Sequence, residues 1–244
     1  GDVTLLPGLI DMHVHIDMML SPASFTETFQ LTAADHALRG AEYARRTLMA
    51  GFTTVRNCGS GDFVDVSLMR AIDAGYAVGP RIVPSGYAIG ITGGHSDAGG
   101  LAPGLLEGDW RQGIADTPEE ALKAARYQIK HGAKVLKLMA TAGVLSFEEL
   151  VGAQQMTEES MRTVVEEAER HGLKVCAHAH GSEGILAAVK AGVHSIEHCS
   201  MLTDEIIAEM KKRGTFMVPT VYLTTVLDPN MLPPTLKRKA VYML

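Results

Sequence analysis

The sequence predicts an α/β fold, and the most economical architecture is a (β/α)8 TIM-like barrel that stops before its eighth strand. Short apolar strands alternate with amphipathic helices, and short turns that contain glycine join them. A doubly wound parallel sheet is the structural alternative, but no GxGxxG motif follows the first predicted strand. The seven predicted strands cover residues 8–15, 53–57, 81–85, 134–139, 173–178, 194–198 and 215–219.

A recurring glycine marks the end of most predicted helices. Each of these helices ends in a small or polar residue followed by glycine, and an apolar strand comes next. Glycine adopts positive φ without a Cβ clash, so it closes a helix at low cost. The pattern occurs in MAGFTTV, KHGAKVLKL, RHGLKVCAH, KAGVHSIEH and KRGTFMV.

The helices follow from apolar spacing. Apolar residues three and four apart predict helices over 34–50 and 118–131. Thr117 can cap the second of these helices, and Pro118 suits its first turn. Thr157 begins a further helix that runs to about residue 170. Shorter helices fit residues 63–74, 183–191 and 203–213, and long glycine-rich loops of the kind that often carries function remain at 86–117 and 140–156.

The composition argues against several classes of protein. The chain has 244 residues, of which 46% are hydrophobic and 20% charged, and this suits a globular domain with a sizeable core. A net charge of −6 and the lack of a basic cluster argue against a nucleic-acid-binding surface. No apolar run approaches the roughly 18 residues of a membrane span. We therefore expect neither nucleic-acid nor membrane partners.

The cysteines bear on the redox compartment. Cys58, Cys176 and Cys199 are odd in number and form no CxxC motif. Reduced core thiols are therefore expected rather than a disulfide framework. The sequence shows no signal peptide with a charged segment followed by an apolar one. Its first residues already resemble the middle of a protein, so a leader could lie upstream of them. The cytoplasm is favoured, and the compartment stays open.

Histidines lie at the predicted carboxyl ends of three strands. Within residues 7–17, PGLIDMHVHID, His13 and His15 share one face of the first strand. His178 closes the fifth strand and His198 the sixth. Active sites of (β/α)8 barrels lie at this end of the strands. An HxH pair by itself is compatible with polar residues at a strand edge as well as with metal ligands. Four imidazoles together favour a site for zinc or its first-row neighbours.

A lysine in the fourth predicted strand is unusual. In KVLKLMA, alternation places Val135, Lys137 and Met139 on one face and Leu136 and Leu138 on the other. An inward ammonium beside metal cations would be desolvated and repelled. Lys137 either snorkels at the strand end or is chemically modified to an anionic ligand, and composition alone does not decide between the two.

Together these motifs resemble a known family. PGLIDMHVHID resembles the strand-one signature of the amidohydrolase superfamily. TTVRNCG, ITGGHSD, KVLKLMATAGV, CAHAHG and SIEHC, in this order, resemble the Xaa-Pro dipeptidase/imidazolonepropionase-like branch. That branch includes prolidase-like metallo-carboxypeptidases and ochratoxin-type amidases. The resemblance runs over nearly the whole chain and implies a (β/α)8 barrel with a small β-sandwich built from both chain ends, which is missing here.

The resemblance implies a site with two divalent metal ions, for which zinc is the expected metal. His13 and His15 would hold one ion, His178 and His198 the other, and a carboxylated Lys137 would bridge them. The carbamate would turn an unfavourable cation into a bridging anion. The implied reaction is hydrolysis of an amide or peptide bond in a dipeptide or N-acyl amino acid, by attack of a metal-bridging hydroxide.

The family pattern also includes an aspartate at the end of strand eight, which binds metal and moves a proton. No convincing match follows the sixth strand, because Asp204 opens a helix and Asp228 lies in a proline-rich loop. We therefore expect residues 1–244 to form the metal-dependent barrel domain of a longer chain.

Three further residues are candidates for catalytic roles. His95, in ITGGHSD, could contact the substrate or polarise its carbonyl, or else cap a turn. Tyr222, in VPTVYLT, could donate to a substrate carbonyl or carboxylate, or be a half-buried aromatic residue. His180 shares parity with His178 and could contact the substrate rather than a metal. Arg56 is a weaker candidate for an anion contact, and structural roles are expected for His36, His131, His171 and His194.

Two other functions compete with this interpretation. A mononuclear cyclic-amide hydrolase or deaminase would often carry HxxE in place of HAH and lack the strand-four lysine, so Lys137 argues against it. A non-catalytic scaffold with the same fold would typically have lost metal ligands. The family's frequent homo-oligomers allow a homo-oligomer here.

Overall fold

The fold consists of parallel strands that alternate with helices. The computed structural model describes residues 2–21 and 23–243, so both ends of the predicted domain 1–244 lie outside the described residues. The strands found in the described residues are β1 (Leu9–Val14), β2 (Phe52–Asn57), β3 (Arg81–Val83), β4 (Val135–Met139), β5 (Lys174–Ala179), β6 (Ser195–His198) and β7 (Phe216–Val218).

Helices follow most of the strands. They are α1 (Ser24–Glu27), α2 (Ala33–Met49), α3 (Val64–Asp73), α4 (Pro118–His131), α5 (Glu158–Arg170), α6 (Ser182–Ala191), α7 (Asp204–Arg213), α8 (Leu223–Val226) and α9 (Pro234–Met243). None of the helices within residues 2–21 and 23–243 has the length and hydropathy that crossing a membrane requires.

The strands pair in chain order, as β1-β2-β3 and β4-β5-β6-β7, and every pairing is parallel. Backbone hydrogen bonds join the two sheets through the segment after β3. Lys134 N donates to Pro84 O at 2.7 Å, Ile89 N donates to Lys137 O at 2.8 Å, and Met139 N donates to Ile89 O at 2.8 Å. The seven strands therefore form one continuous parallel arrangement.

This arrangement curls round on itself. His13, on β1, lies 2.7 Å from Glu197 on β6. Arg56, on β2, donates to the same carboxylate at 2.6 Å. Side chains from strands far apart in the pairing order thus meet in one interior, as they do in a barrel. The predicted (β/α)8 architecture without an eighth strand is confirmed for the described residues.

The main hydrophobic core lies between the strands and the outer helices. Leu136 and Leu138 of β4 and Ile196 of β6 are fully buried there against residues of the surrounding helices, such as Val164 and Ile185. Burial of each such side chain stabilises the fold by roughly 1.5–3 kcal/mol. A second cluster packs β1–β3 against α2 and α3. The outward face predicted for Leu136 and Leu138 is therefore confirmed.

The predicted helix boundaries are confirmed where capping chemistry marks them. The side chains of Thr117 and Thr157 accept hydrogen bonds at the starts of α4 and α5. Gly132 and Gly192 end α4 and α6 with φ of 113° and 95°. The last helix, α9, begins at Pro234 and buries Leu236, Lys239 and Ala240 on one face.

Candidate active site

Histidine rings meet at the carboxyl ends of the strands. Neighbouring rings in this group have centroids 4.1 to 5.5 Å apart. The group contains the four predicted metal ligands and two of the three predicted catalytic residues. We call it the histidine cluster, and its members are His13, His15, His95, His178, His180 and His198.

Strand register explains why Lys137 joins this cluster. Lys137 pairs with Cys176, and Met139 pairs with His178, across parallel strands. Paired residues share a face of the sheet, so Lys137 and His178 both point inward. Lys137 is 1% exposed. None of the ion pairs among residues 2–21 and 23–243 involves its ammonium group, so a buried cation stands among imidazoles without a carboxylate.

The backbone at the end of β6 turns His198 into the site. Alternation along the strand would direct His198 away from the face that carries Glu197. His198 and Cys199 instead adopt positive φ values of 72° and 59°. This conformation costs of order 1–3 kcal/mol for non-glycine residues and often occurs at functional sites. It brings the His198 ring to 4.7 Å from that of His178.

Hydrogen bonds orient the two histidines of β1. His13 Nδ1 lies 2.7 Å from Glu197 Oε2, and His15 Nδ1 lies 3.0 Å from the carbonyl oxygen of Gly59. A carbonyl and a carboxylate oxygen accept hydrogen bonds, so Nδ1 carries the proton in both rings. The lone pair of each Nε2 is then available to a metal ion, an arrangement common among metal-binding histidines.

Hydroxyl groups orient two more members of the cluster. His180 Nδ1 lies 2.8 Å from Ser200 Oγ, and His198 Nδ1 lies 2.7 Å from Thr220 Oγ1. His178 differs, because its Nε2 is buried without a hydrogen-bond partner among the described residues. A buried polar atom in this state costs about 1–3 kcal/mol. A bound cation would supply the missing partner.

The loop between β4 and α5 holds His95 in place. The His95 ring packs 4.1 Å from the His178 ring, and its Nδ1 lies 2.6 Å from Ser146 Oγ. A Cβ at Gly143 would lie 2.1 Å from His95 Cε1, so only glycine fits there. Lys239 of α9 donates to the carbonyl oxygen of Ser146 at 2.7 Å and so ties this loop to the last helix.

Burial keeps the imidazoles of the cluster neutral. It is the largest cause that lowers the pKa of each of the six rings, and the nearby Lys137 ammonium lowers each of them further. The pKa falls to about 3 for His95 and to about 4 for His180. Neutral imidazole is the form that binds metal ions.

The residues present therefore fit a metal centre. The ligand atoms of His178, His180 and His198 lie within 4.8 Å of one another. A cation would complete this donor set. The set consists of neutral rings with oriented nitrogens, the Nε2 of His178 that lacks a hydrogen-bond partner among the described residues, and the buried Lys137 between them.

Sequence reasoning missed Glu197, the carboxylate that Arg56 contacts. Arg56 was a candidate for an anion contact, and its guanidinium binds Glu197 at 2.6 Å and Ser195 Oγ at 3.0 Å inside the barrel. A signal for Glu197 was present, because Ser195 and Glu197 are polar residues of like parity in a short buried strand. The partner of Glu197 on β2 was not predictable, since strand alternation does not say which side chains meet across a barrel.

The remaining predicted residues lie outside the cluster. The side chain of Tyr222 is 75% exposed just before α8, and the structure does not bring it to the histidines, so its donor role stays a prediction. His131 packs against Tyr127 with centroids 4.3 Å apart, and His194 accepts a hydrogen bond from Val175 N at 3.2 Å. Cys58, Cys176 and Cys199 are buried and free, as expected.

Comparisons with known proteins show the family of this chain. Residues 4–242 match the family model described as Amidohydrolase family. The chain is 37% identical over 233 residues to an ochratoxinase from Aspergillus niger, which covers 88% of this chain and 47% of that protein. The chain thus spans about half the length of the curated relatives that it matches.

Solved structures show the same fold at high similarity. A Xaa-Pro dipeptidase with bound methionine in the active site superposes with a TM-score of 0.90 and 36% identity, over 97% of this chain and 60% of that chain. A prolidase complexed with N-methylphosphonate-L-proline gives a TM-score of 0.85 and 33% identity, over 97% of this chain and 59% of that chain.

Proposed function

The chain belongs to the amidohydrolase family, and we propose that it forms the catalytic barrel of a metal-dependent hydrolase that cleaves an amide or peptide bond. The observation that carries this proposal is the convergence of six neutral imidazoles on the buried Lys137. A packed core has no use for such a group, because buried polar side chains need partners.

The proposed ligands divide between the two sides of the barrel. His13 and His15 of the β1 end would hold one divalent ion, and His178 and His198 of β5 and β6 would hold the other. Lys137 would bridge them as a carbamate, formed when its neutral amine adds to CO2 and loses a proton. This modification would replace an unpaired buried cation with an anion and so remove the repulsion from the bound ions.

When bound, a pair of ions of this kind lowers the pKa of the attacking water towards about 7 and polarises the scissile carbonyl. The chain's own residues would do the rest. His95 and His180 are neutral and their Nδ1 atoms already bond to serine hydroxyls, so the Nε2 of each ring can make one hydrogen bond, as donor or as acceptor, with the reacting group. Both would orient the substrate carbonyl or the leaving amine, and burial of the cluster would exclude bulk water.

The preferred substrate is a dipeptide or an N-acyl amino acid with a free carboxylate on the leaving side. This choice rests on the relatives. Methionine and the prolyl phosphonate, which two of the similar structures contain, both carry a free α-carboxylate. The curated relative is named an ochratoxinase, in keeping with the resemblance of the motifs to ochratoxin-type amidases.

The test is a hydrolysis assay with chelator-treated protein before and after zinc is restored. Amino acid release is measured from Xaa-Pro dipeptides and N-acyl amino acids, beside the same compounds with an amidated carboxylate. Zinc should restore hydrolysis, and the amidated compounds should be poorer substrates. His178→Ala should abolish turnover, whereas His171→Ala, at a half-exposed histidine outside the cluster, should not.

Two results would contradict the proposal. Release of ammonia from a ring or exocyclic amine, with one ion bound, would support the mononuclear deaminase instead. A folded chain that binds no metal would support the non-catalytic scaffold.

A further inference from the structure

A buried carboxylate lies beneath the histidine cluster. Glu197 is 0% exposed, and three groups from three strands surround it. Arg56 Nη2 and Ser195 Oγ donate to its Oε1 at 2.6 and 2.7 Å. Its Oε2 lies 2.7 Å from His13 Nδ1. Each carboxylate oxygen therefore has its own partners, and within residues 2–21 and 23–243 His13 is the only partner of Oε2.

Arg56 holds this carboxylate in a fixed position. Its Nε donates to the backbone oxygen of Met12 at 2.7 Å, directly before His13 in the chain. Its Nη1 donates to Ser195 Oγ at 3.0 Å. One guanidinium thus joins β1, β2 and β6 and aligns Glu197 with the ring of His13. Arginine stays charged and only donates, so the oxygen that faces it must remain an acceptor.

We propose that Glu197 is a positioning residue for His13. Its carboxylate accepts a hydrogen bond from Nδ1–H, fixes the tautomer and leaves the Nε2 lone pair for a metal ion. The inference rests on the proposed metal site and adds to it a residue outside the ligand set. Carboxylates that hold ligating histidines in this way typically change metal affinity or activity 10- to 100-fold when they are replaced.

A different role for Glu197, as a metal ligand itself, fits less well. His13, Cys58 and Glu197 do bring ligand atoms within 4.8 Å of one another. A cation there would face the guanidinium of Arg56, which binds the same carboxylate. The oxygens of Glu197 are also already used by Arg56, Ser195 and His13. The geometry therefore favours a supporting carboxylate.

The first test measures the tautomer directly in the metal-free wild-type protein. Histidine labelled with ¹⁵N gives separate NMR signals for protonated and unprotonated ring nitrogens, and the signals of His13 are identified by their loss in His13→Gln. Nδ1 should be protonated and Nε2 unprotonated. A His13 ring with its proton on Nε2 would overturn the inference. This result does not depend on metal binding or on any variant of Glu197.

The second test uses Glu197→Gln. Arg56 and Ser195 donate, so the amide oxygen should take the place of Oε1 and the NH2 group should face His13. The NH2 group can only donate, so it should make Nδ1 of His13 the acceptor. The proton of His13 should then move to Nε2, and Nε2 should lose the lone pair that would bind the metal ion. Chelator competition should then show one zinc ion bound 10- to 100-fold more weakly and the other unchanged.

Glu167→Gln is the matched control. Glu167 is also a buried carboxylate with an arginine partner, Arg126, but it lies between helices away from the cluster. It should leave both affinities and the His13 tautomer unchanged. Wild-type affinities in Glu197→Gln, or an equal loss in both variants, would overturn the inference. A wild-type chain that binds no zinc would contradict the proposed function, while the tautomer measurement would still test this inference.

Discussion

Replacement of Lys137 by methionine should have opposite effects on the metal-free and the metal-loaded protein. Lys137 is buried and its ammonium forms no ion pair among the described residues. An apolar side chain of similar length removes an uncompensated buried charge, so Lys137→Met should raise the free energy of unfolding of the metal-free chain by roughly 1–4 kcal/mol.

Bound metal should reverse the order of stability of the wild type and Lys137→Met. An ion at 100 times its dissociation constant stabilises the folded state by about 2.7 kcal/mol, so two ions give the wild type roughly 5 kcal/mol. Without the bridging carbamate, Lys137→Met should lose most of this gain. The wild type should then be the more stable protein with zinc and the less stable one without it.

Urea unfolding followed by circular dichroism, in chelator and in excess zinc, measures both differences. Leu136→Met is the control, because Leu136 lies on the opposite face of the same strand in the outer core. It should cost less than about 1.5 kcal/mol in both conditions and leave the metal increment unchanged. Destabilisation of Lys137→Met by the same amount with and without zinc would refute the proposed role of Lys137 at the metal site.

Three further outcomes follow from the structure. His178→Ala should lose at least one metal ion and several orders of magnitude of turnover in the hydrolysis assay, and near-normal activity would contradict the site assignment. Gly143→Ala places a methyl group 2.1 Å from His95 Cε1, so the ring must move. The value of kcat should then fall about 10- to 100-fold at unchanged metal content. An unchanged kcat would show that His95 has no part in the reaction. Hydrogen bonds from Arg126 lower the pKa of Glu167 to about 2 from its ordinary value of 4.5, so its ionised form stabilises the fold above pH 4.5 and this contribution is lost as the pH falls through 2. In urea unfolding, Glu167→Gln should therefore be less stable than the wild type at pH 7 by a margin that shrinks towards pH 3, and a constant margin would contradict the assigned ion pair.

The parts of the site that follow strand periodicity could be predicted from the sequence. The two-residue spacing of His13 and His15 places both rings on one face, and parity in β4 and β5 turns Lys137 and His178 inward. The histidine-rich end of the barrel followed from these positions. Helix caps such as Thr117 were predictable for a similar reason, because the chemistry is local.

The parts that depend on distant contacts or unusual backbone could not be predicted. The position of His198 at the end of the sixth strand was predicted, but the positive φ through which its ring enters the cluster was not, because no glycine or asparagine signals it there. Glu197 and Arg56 meet across the barrel from strands 141 residues apart in the chain. The loop that holds His95 is fixed by Lys239 of α9, a contact over 93 residues. Strand alternation carries no information about such pairings.

The most direct test of the central claim is the ratio of metal to protein, measured by elemental analysis after growth with bicarbonate. About two zinc-like ions per folded chain are expected, with a loss in His178→Ala and none in His171→Ala. One ion per chain would contradict the bridged pair. A folded chain without bound metal would contradict the account as a whole.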